Sequence, residues 1–414
     1  MRKGRLCAAA AFGALACLGA SDLLPSRVAE VAKAVEQVRG RRFERSVPAS
    51  EIEEAALRRT LQSKLAEGMP ASPEDTIRTL VALGLVDETP NVVDKLIDLY
   101  ASQVVAFYDP EPRRFYVVKG GEGALGSLGG EAGEKIVFAH ELTHALQDES
   151  MQLDSRMKEL KDNSDRSLAL ECLLEGEATI VMVRVAVAEL PGAGEAAEEM
   201  LAPLLSAGAL EKANIPKDVP DFFVEELFFP YVEGTAYVRA ALKRGGWAAV
   251  DRLWKSPPVS SAEILHGPGA PAPVENLLPK SLDALAPQGY RPLYADTLGE
   301  WTLRYLLRRT LPNEEADRAA AEWRGDRIAF FNAGRSVAYV WKIRCDGPGS
   351  AERLAATLVK ARKGSKAEPL IERRASDVIV TFGYPKREAG SRNRPPLPAS
   401  YPSGFTTRGM TTNI

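Results

Sequence analysis

The chain has 414 residues, 45% of them hydrophobic and 26% charged, with 53 basic against 56 acidic side chains and a net charge of -3. A chain of this length can bury a large core and suggests more than one domain. The near balance of charge leaves no long-range field to gather nucleic acid or an anionic membrane, so neither is expected as a partner.

Residues 1–20 read as a signal peptide. Arg2, Lys3 and Arg5 precede an apolar run from Leu6 to Leu18, and the small residues Gly19, Ala20 and Ser21 follow. The run is too short to span about 30 Å of hydrocarbon, which favours a cleaved leader over a permanent anchor. Two cuts fit: an Ala-x-Ala site at Ala14-Leu15-Ala16, or a loose lipobox that would leave a lipid anchor on Cys17. The expected location is extracytoplasmic, whether secreted, periplasmic or lipid-anchored to the envelope. Cys172 and Cys345 then remain, either as a disulfide or as two buried free thiols.

From Arg27 to Leu99 apolar residues such as Val28, Val31, Ala34 and Val35 recur at helical steps. The pattern then changes to Val104-Val105-Ala106-Phe107-Tyr108, Asp109-Pro110-Glu111-Pro112 and Phe115-Tyr116-Val117-Val118, which predicts a β-hairpin. The strand Val104–Tyr108 could hold an extended peptide by β-augmentation. The Gly-rich stretch Gly120 to Gly130 lacks a Gly-Lys-Ser/Thr ending and reads as a connection rather than a phosphate cradle. Helices are expected again from Ala132 to about Leu242, followed by a proline cluster at Pro257, Pro258, Pro268, Pro271 and Pro273. Beyond it the pattern gives a helix from Thr297 to Arg309 and a hairpin of Arg327–Phe331 and Val337–Ile343 around Asn332-Ala333-Gly334. A helix over Glu352–Lys360 and a strand Val378–Phe382 follow. The fold class is therefore α+β, mainly helical: a core over 21–290 with a small antiparallel sheet, an α+β lobe over 291–385, and a polar tail over 386–414 that is expected to be disordered.

The segment Lys135-Ile136-Val137-Phe138-Ala139-His140-Glu141-Leu142-Thr143-His144-Ala145-Leu146 is apolar around a polar pentapeptide and contains no Gly or Pro, which predicts a buried helix. Residues four apart share a helical face about 5–6 Å apart, so His140 and His144 can present both imidazoles to one Zn²⁺. Glu141, one step round, would reach a water at the metal and act as general base. Only three histidines occur in the chain, so chance is a poor account of the pairing.

The third histidine does not follow in the His-x-x-Gly-x-x-His spacing, so a carboxylate is expected as third ligand. Asp165 to Ala178 reads as a second helix carrying Glu171, Glu175 and Glu177 in an apolar setting. Glu175 is favoured, because Gly176 beside it would let this helix approach the zinc helix closely. Glu171, one turn earlier on the same face, is the alternative ligand. Glu177 points away and reads as solvated.

With these residues the chain resembles the gluzincin branch of the zincin metallopeptidases, in which a Glu from a second helix completes a two-His site. The segments His140 to Asp148, Glu175-Gly176-Glu177-Ala178, Phe229 to Gly234, Phe107 to Pro110 and Pro258 to His266 look like exported bacterial proteins of this type. Gly267 stands where the relatives have proline after the histidine of the last segment. The resemblance implies a zincin-like core and zinc-dependent hydrolysis of protein or peptide substrates, with endopeptidase action the leading form. A zinc-stabilised envelope protein that only binds partners, or a metal hydrolase of a non-peptide amide, are the alternatives.

Supporting roles are read from position. Asp148, four residues after His144, could accept the second imidazole N–H; a solvated helix end is the alternative. Ser260 and Glu263 form a capping box that starts or ends a short helix reaching His266. His266, and Tyr231 beside the helix-kinking Pro230, are candidate donors to the oxyanion of a tetrahedral intermediate; a structural histidine and a core tyrosine are the competing readings.

Overall fold

The computed structural model describes residues 24–119, 131–188, 215–365 and 368–384. The expected leader, glycine-rich connection and tail lie outside them. Helices α1 (Leu24–Arg39), α2 (Glu54–Gly68), α3 (Pro73–Leu83) and α4 (Val92–Gln103) form the first part of the chain. Their apolar residues recur at helical steps, so α1 buries Leu24, Val28, Val31 and Val35 along one stripe. Local chemistry sets the ends of α3. Ser72 accepts a hydrogen bond from the Asp75 N–H, Pro73 opens the first turn, and Gly84 closes the last in the left-handed region.

The expected hairpin forms from β2 (Ala106–Asp109) and β3 (Arg114–Val118). A strand absent from the sequence reading, β1 (Ala49–Ile52), pairs parallel to β3 and makes the sheet three-stranded, in the order β1-β3-β2. Its four residues are too few to show an alternating pattern. Strand β2 is an edge strand, but all four of its residues are buried, and the Tyr108 N–H is already donated to Glu141. At that point it offers no free ladder to an incoming peptide.

Helix α5 (Glu131–Met151) follows, then α6 (Leu153–Glu159), α7 (Ser164–Ala188), α8 (Asp221–Lys255) and the short α9 (Ser261–His266). From Leu168 to Val183 nearly every α7 residue is buried, so this helix lies at the centre, with α5 and α8 packed on it. Pro230 is accommodated inside α8; the backbone leaves helical geometry at Gly245 and Gly246 instead.

The α7/α8 crossing is closer than side chains allow. A Cβ at Gly176 would lie 2.2 Å from the Gly234 carbonyl, and one at Gly234 would lie 2.1 Å from the Cys172 carbonyl oxygen. Gly176 therefore faces α8 rather than the histidine helix, which corrects the reason given for favouring Glu175.

The rest of the chain holds β4 (Arg291–Asp296), α10 (Gly299–Arg308), α11 (Asn313–Ala320), β5 (Trp323–Ala333), β6 (Ser336–Cys345), α12 (Pro348–Arg362), β7 (Leu370–Arg374) and β8 (Asp377–Phe382). The strands form an antiparallel sheet in the order β4-β5-β6-β8-β7. The hairpin around Asn332-Ala333-Gly334, both predicted helices and the last strand are present. Strands β4 and β7 and helix α11 are additions. One apolar cluster extends from Leu24 to Val380, joining this lobe to the helices. Cys172 and Cys345 are buried free thiols, which decides between the two readings of the cysteines. Among the described residues no helix is long and apolar enough to cross a membrane. The fold is α+β and mainly helical.

Gly176→Ala is expected to destabilise the protein by about 1–3 kcal/mol in urea unfolding, because the new methyl meets main chain that cannot turn away. Gly349→Ala, on a helix where a Cβ would meet only the Arg353 side chain at 3.6 Å, is the control and should be neutral or slightly stabilising.

Candidate metal centre

Helix α5 has no free face around the motif: every residue from Ile136 to Asp148 is buried. The i, i+4 spacing brings His140 and His144 together as predicted, with ring centroids 4.9 Å apart and planes at 81°. Their Nε2 atoms are 3.2 Å apart. Oε2 of Glu175 on α7 lies 3.1 Å from His140 Nε2 and 3.5 Å from His144 Nε2. One ligand atom from each of the three residues falls within 4.8 Å of the others, and all three residues are buried. This group could hold a metal ion. Glu171 is not part of it; its Oε1 instead accepts from Ser167 Oγ at 3.1 Å.

Burial and mutual charge set the protonation states. Burial pushes His140 below the ordinary imidazole range. Burial opposes the charged form of His144 too, but the carboxylate of Glu175, with Glu141 and Gln147, outweighs it and raises the ring to about 9. Burial likewise opposes ionisation of Glu175, yet His144 and His140 hold it well below the usual carboxylate range. For Glu141 burial outweighs the opposing pull of His144 and of the Tyr108 N–H, and raises it to about 8. Without a cation, then, a charged His144 balances an ionised Glu175 at neutral pH.

The orientation of His144 is fixed by residues the sequence reading passed over. Its Nδ1 lies 2.9 Å from Oε1 of Gln147. The Gln147 amide nitrogen donates to the Leu174 carbonyl at 3.1 Å and to Glu177 Oε2 at 2.9 Å. Both of these oxygens are acceptors only, so the amide cannot turn over, and Oε1 must face the imidazole. In the neutral, metal-binding form of His144 the proton therefore sits on Nδ1 and Nε2 is left to the metal group.

Glu177, expected in solvent, is fully buried. It pairs with Arg39 of α1 and accepts from Trp254 Nε1 at 2.6 Å. The Arg39 guanidinium lies over the Trp247 and Trp254 rings, 4.4 and 4.7 Å from their centroids, and reaches Asp251 at 2.5 Å. The signal for Gln147 was its position three residues after His144. Nothing local pointed to Arg39, 138 residues from its partner.

Asp148 is neither a solvated helix end nor the imidazole acceptor. It is buried, accepts from Tyr108 Oη at 2.9 Å, and caps α6 by accepting from the Leu153 N–H at 2.8 Å. Burial, reinforced by Asp148, pushes the Tyr108 phenol above its usual range. The Tyr108 N–H donates to Glu141 Oε2 at 3.0 Å, while Glu141 Oε1 is buried with no hydrogen-bond partner among the described residues. Tyr231 is buried and stacks on His140, with centroids 6.0 Å apart and planes at 19°. His266 belongs to a different cluster: its Nε2 lies 2.9 Å from both oxygens of buried Glu300, which also accepts from Arg304. The capping box forms in part. Ser260 Oγ accepts from the Glu263 N–H at 3.2 Å, but the Glu263 carboxylate accepts from Val259 and Tyr237.

Metal uptake at pH 7 is expected to release about one proton from His144 and up to about one more from Glu141, and binding should weaken as pH falls below about 9. Calorimetry in buffers of different ionisation heat reads the proton count. Glu177→Gln, which gives Gln147 a neighbour able to donate, should weaken metal binding roughly 10–100-fold. Unchanged affinity in that variant would show that the Gln147 amide needs no such anchor.

In comparison with known families, residues 290–390 match the model of a domain of unknown function, DUF8575. The match covers the lobe from β4 to β8 and leaves His140, His144 and Glu175 outside it. No curated protein and no solved structure matches the chain.

Proposed function

We propose that the chain is a zinc-dependent peptidase acting outside the cytoplasm, with His140, His144 and Glu175 as protein ligands and Glu141 as general base. The observation that carries this reading is the state of Glu141. One oxygen is held by a backbone N–H, and the other is buried beside the metal group with no hydrogen-bond partner among the described residues. Leaving a buried acceptor unsatisfied costs about 1–3 kcal/mol, which a catalytic role for that oxygen would explain.

The donor set fits the ion. Two imidazoles and one carboxylate are the three-ligand arrangement of catalytic zinc, whereas structural zinc is closed by a fourth protein ligand. Among the described residues the group contains three. When bound, zinc would polarise the scissile carbonyl and favour deprotonation of the attacking water. Glu141 would take that proton and deliver it to the leaving nitrogen as the C–N bond breaks. Its value of about 8 without metal would fall beside a cation, into the range where a carboxylate both accepts and returns a proton. Tyr231, against the face of His140, is the nearer of the two candidate oxyanion donors to this group. The exported location rests on the leader-like N-terminus.

Glu141→Gln should retain stoichiometric zinc while losing at least about 10²-fold in peptide hydrolysis. His144→Ala should lose most of the metal and unfold at lower temperature, because metal binding is coupled to folding. Metal analysis, thermal melts and a peptide-library digestion with and without chelator read these outcomes. Full hydrolysis by Glu141→Gln would overturn the assigned base. A zinc-loaded native protein that cuts no peptide would overturn the function.

A further inference from the structure

A cavity of about 210 Å³ reaches the metal group, and Glu175 and Tyr231 line it. A single water needs only roughly 10–15 Å³, so the space holds something far larger. Leu65 of α2, Leu80 of α3 and Leu227 of α8 line it as well, and all three are only partly buried. The remaining wall comes from the C-terminal lobe, through Tyr294 of β4, Thr302 of α10 and Phe330 of β5. That wall is rigid. The Tyr294 hydroxyl is tied to Thr79 Oγ1 at 2.6 Å, and its ring packs on Phe330 with centroids 4.9 Å apart.

We propose that this cavity receives a large apolar substrate side chain next to the scissile bond, and that the C-terminal domain of unknown function supplies one of its walls. The inference rests on the peptidase reading for the identity of the bond, but the pocket itself is argued from its lining. Leucine and aromatic side chains dominate the surface, so water there is poorly satisfied and an apolar group gains by replacing it. Glu171, Glu175, Glu226 and Asp296 are the carboxylates on the lining; its one ammonium, Lys64, is already paired with Asp109 and Glu111, so an acidic side chain is disfavoured. The side chains that fit are of the leucine, methionine and phenylalanine class. A role for residues 290–390 follows: the domain completes the substrate site rather than standing beside it.

The test uses the full zinc-loaded protein and two chelating probes, N-acetyl-leucine hydroxamate and N-acetyl-glycine hydroxamate, with binding measured by calorimetry. The leucine probe should bind at least about ten-fold more tightly, as expected for burial of one such side chain. Leu227→Trp fills the cavity from α8, and Thr302→Leu fills it from the C-terminal domain. Each should bring the affinity ratio close to one, with zinc content and melting temperature retained and the glycine probe unaffected. Equal binding of the two probes to the native protein overturns the pocket, as does a ratio that neither variant moves. A ratio moved by Leu227→Trp alone overturns the role of the C-terminal domain. A peptide-library digestion separates this proposal from the function beneath it. No cleavage with a retained leucine preference overturns the peptidase and keeps the pocket, whereas cleavage without preference for bulky apolar residues does the reverse. If neither probe binds, both fall.

Discussion

Two helices can approach to backbone contact only where neither carries a side chain, and the crossing of α7 and α8 at Gly176 and Gly234 meets that condition. Much of the site depends on it. Glu175 and Glu177 flank Gly176, and at about 100° per residue they leave the helix on nearly opposite sides. One carboxylate meets the two imidazoles; the other meets Arg39, Trp254 and Gln147. On α8, Tyr231 lies three residues before Gly234, so the same contact that orients the two glutamates brings the tyrosine ring against His140. A single close approach thus sets the third ligand candidate, the support of His144 and one end of the cavity.

The centre buries more charge than a core of this kind usually tolerates, and it does so by pairing. Arg39 and Glu177 are both shielded from solvent, and the indole N–H of Trp254 and the Gln147 amide satisfy the remaining acceptor capacity of the carboxylate. Removing one partner would strand the other, a far larger cost than the net worth of the pair. This favours one arrangement of the three helices over near alternatives. Asp148 acts similarly on the other side of α5, joining the Tyr108 hydroxyl to the start of α6.

What the sequence revealed and what it concealed divide along contact distance. The pairing of His140 with His144 follows from helical spacing alone, and the buried setting of α5 follows from its uniformly apolar flanks. Glu175 came from the right helix for a partly wrong reason, since Gly176 faces α8. The burial of Glu177 was hidden because its countercharge lies in α1, and helical phase by itself does not say which sides of a central helix are covered. Strand β1 was hidden because a four-residue segment has no readable period and its partner comes more than sixty residues later. The C-terminal hairpin was legible because its turn and alternating flanks are contiguous.

Residues that build the centre and its cavity are drawn from Arg39 to Phe330, and one apolar cluster binds this span together. No short contiguous fragment can assemble it. A chain emerging in order from its N-terminus would carry both histidines long before the wall of the cavity existed. The cavity is therefore complete only once Tyr294, Thr302 and Phe330 have been made and have packed against the helices, well after both histidines and Glu175 have left the ribosome.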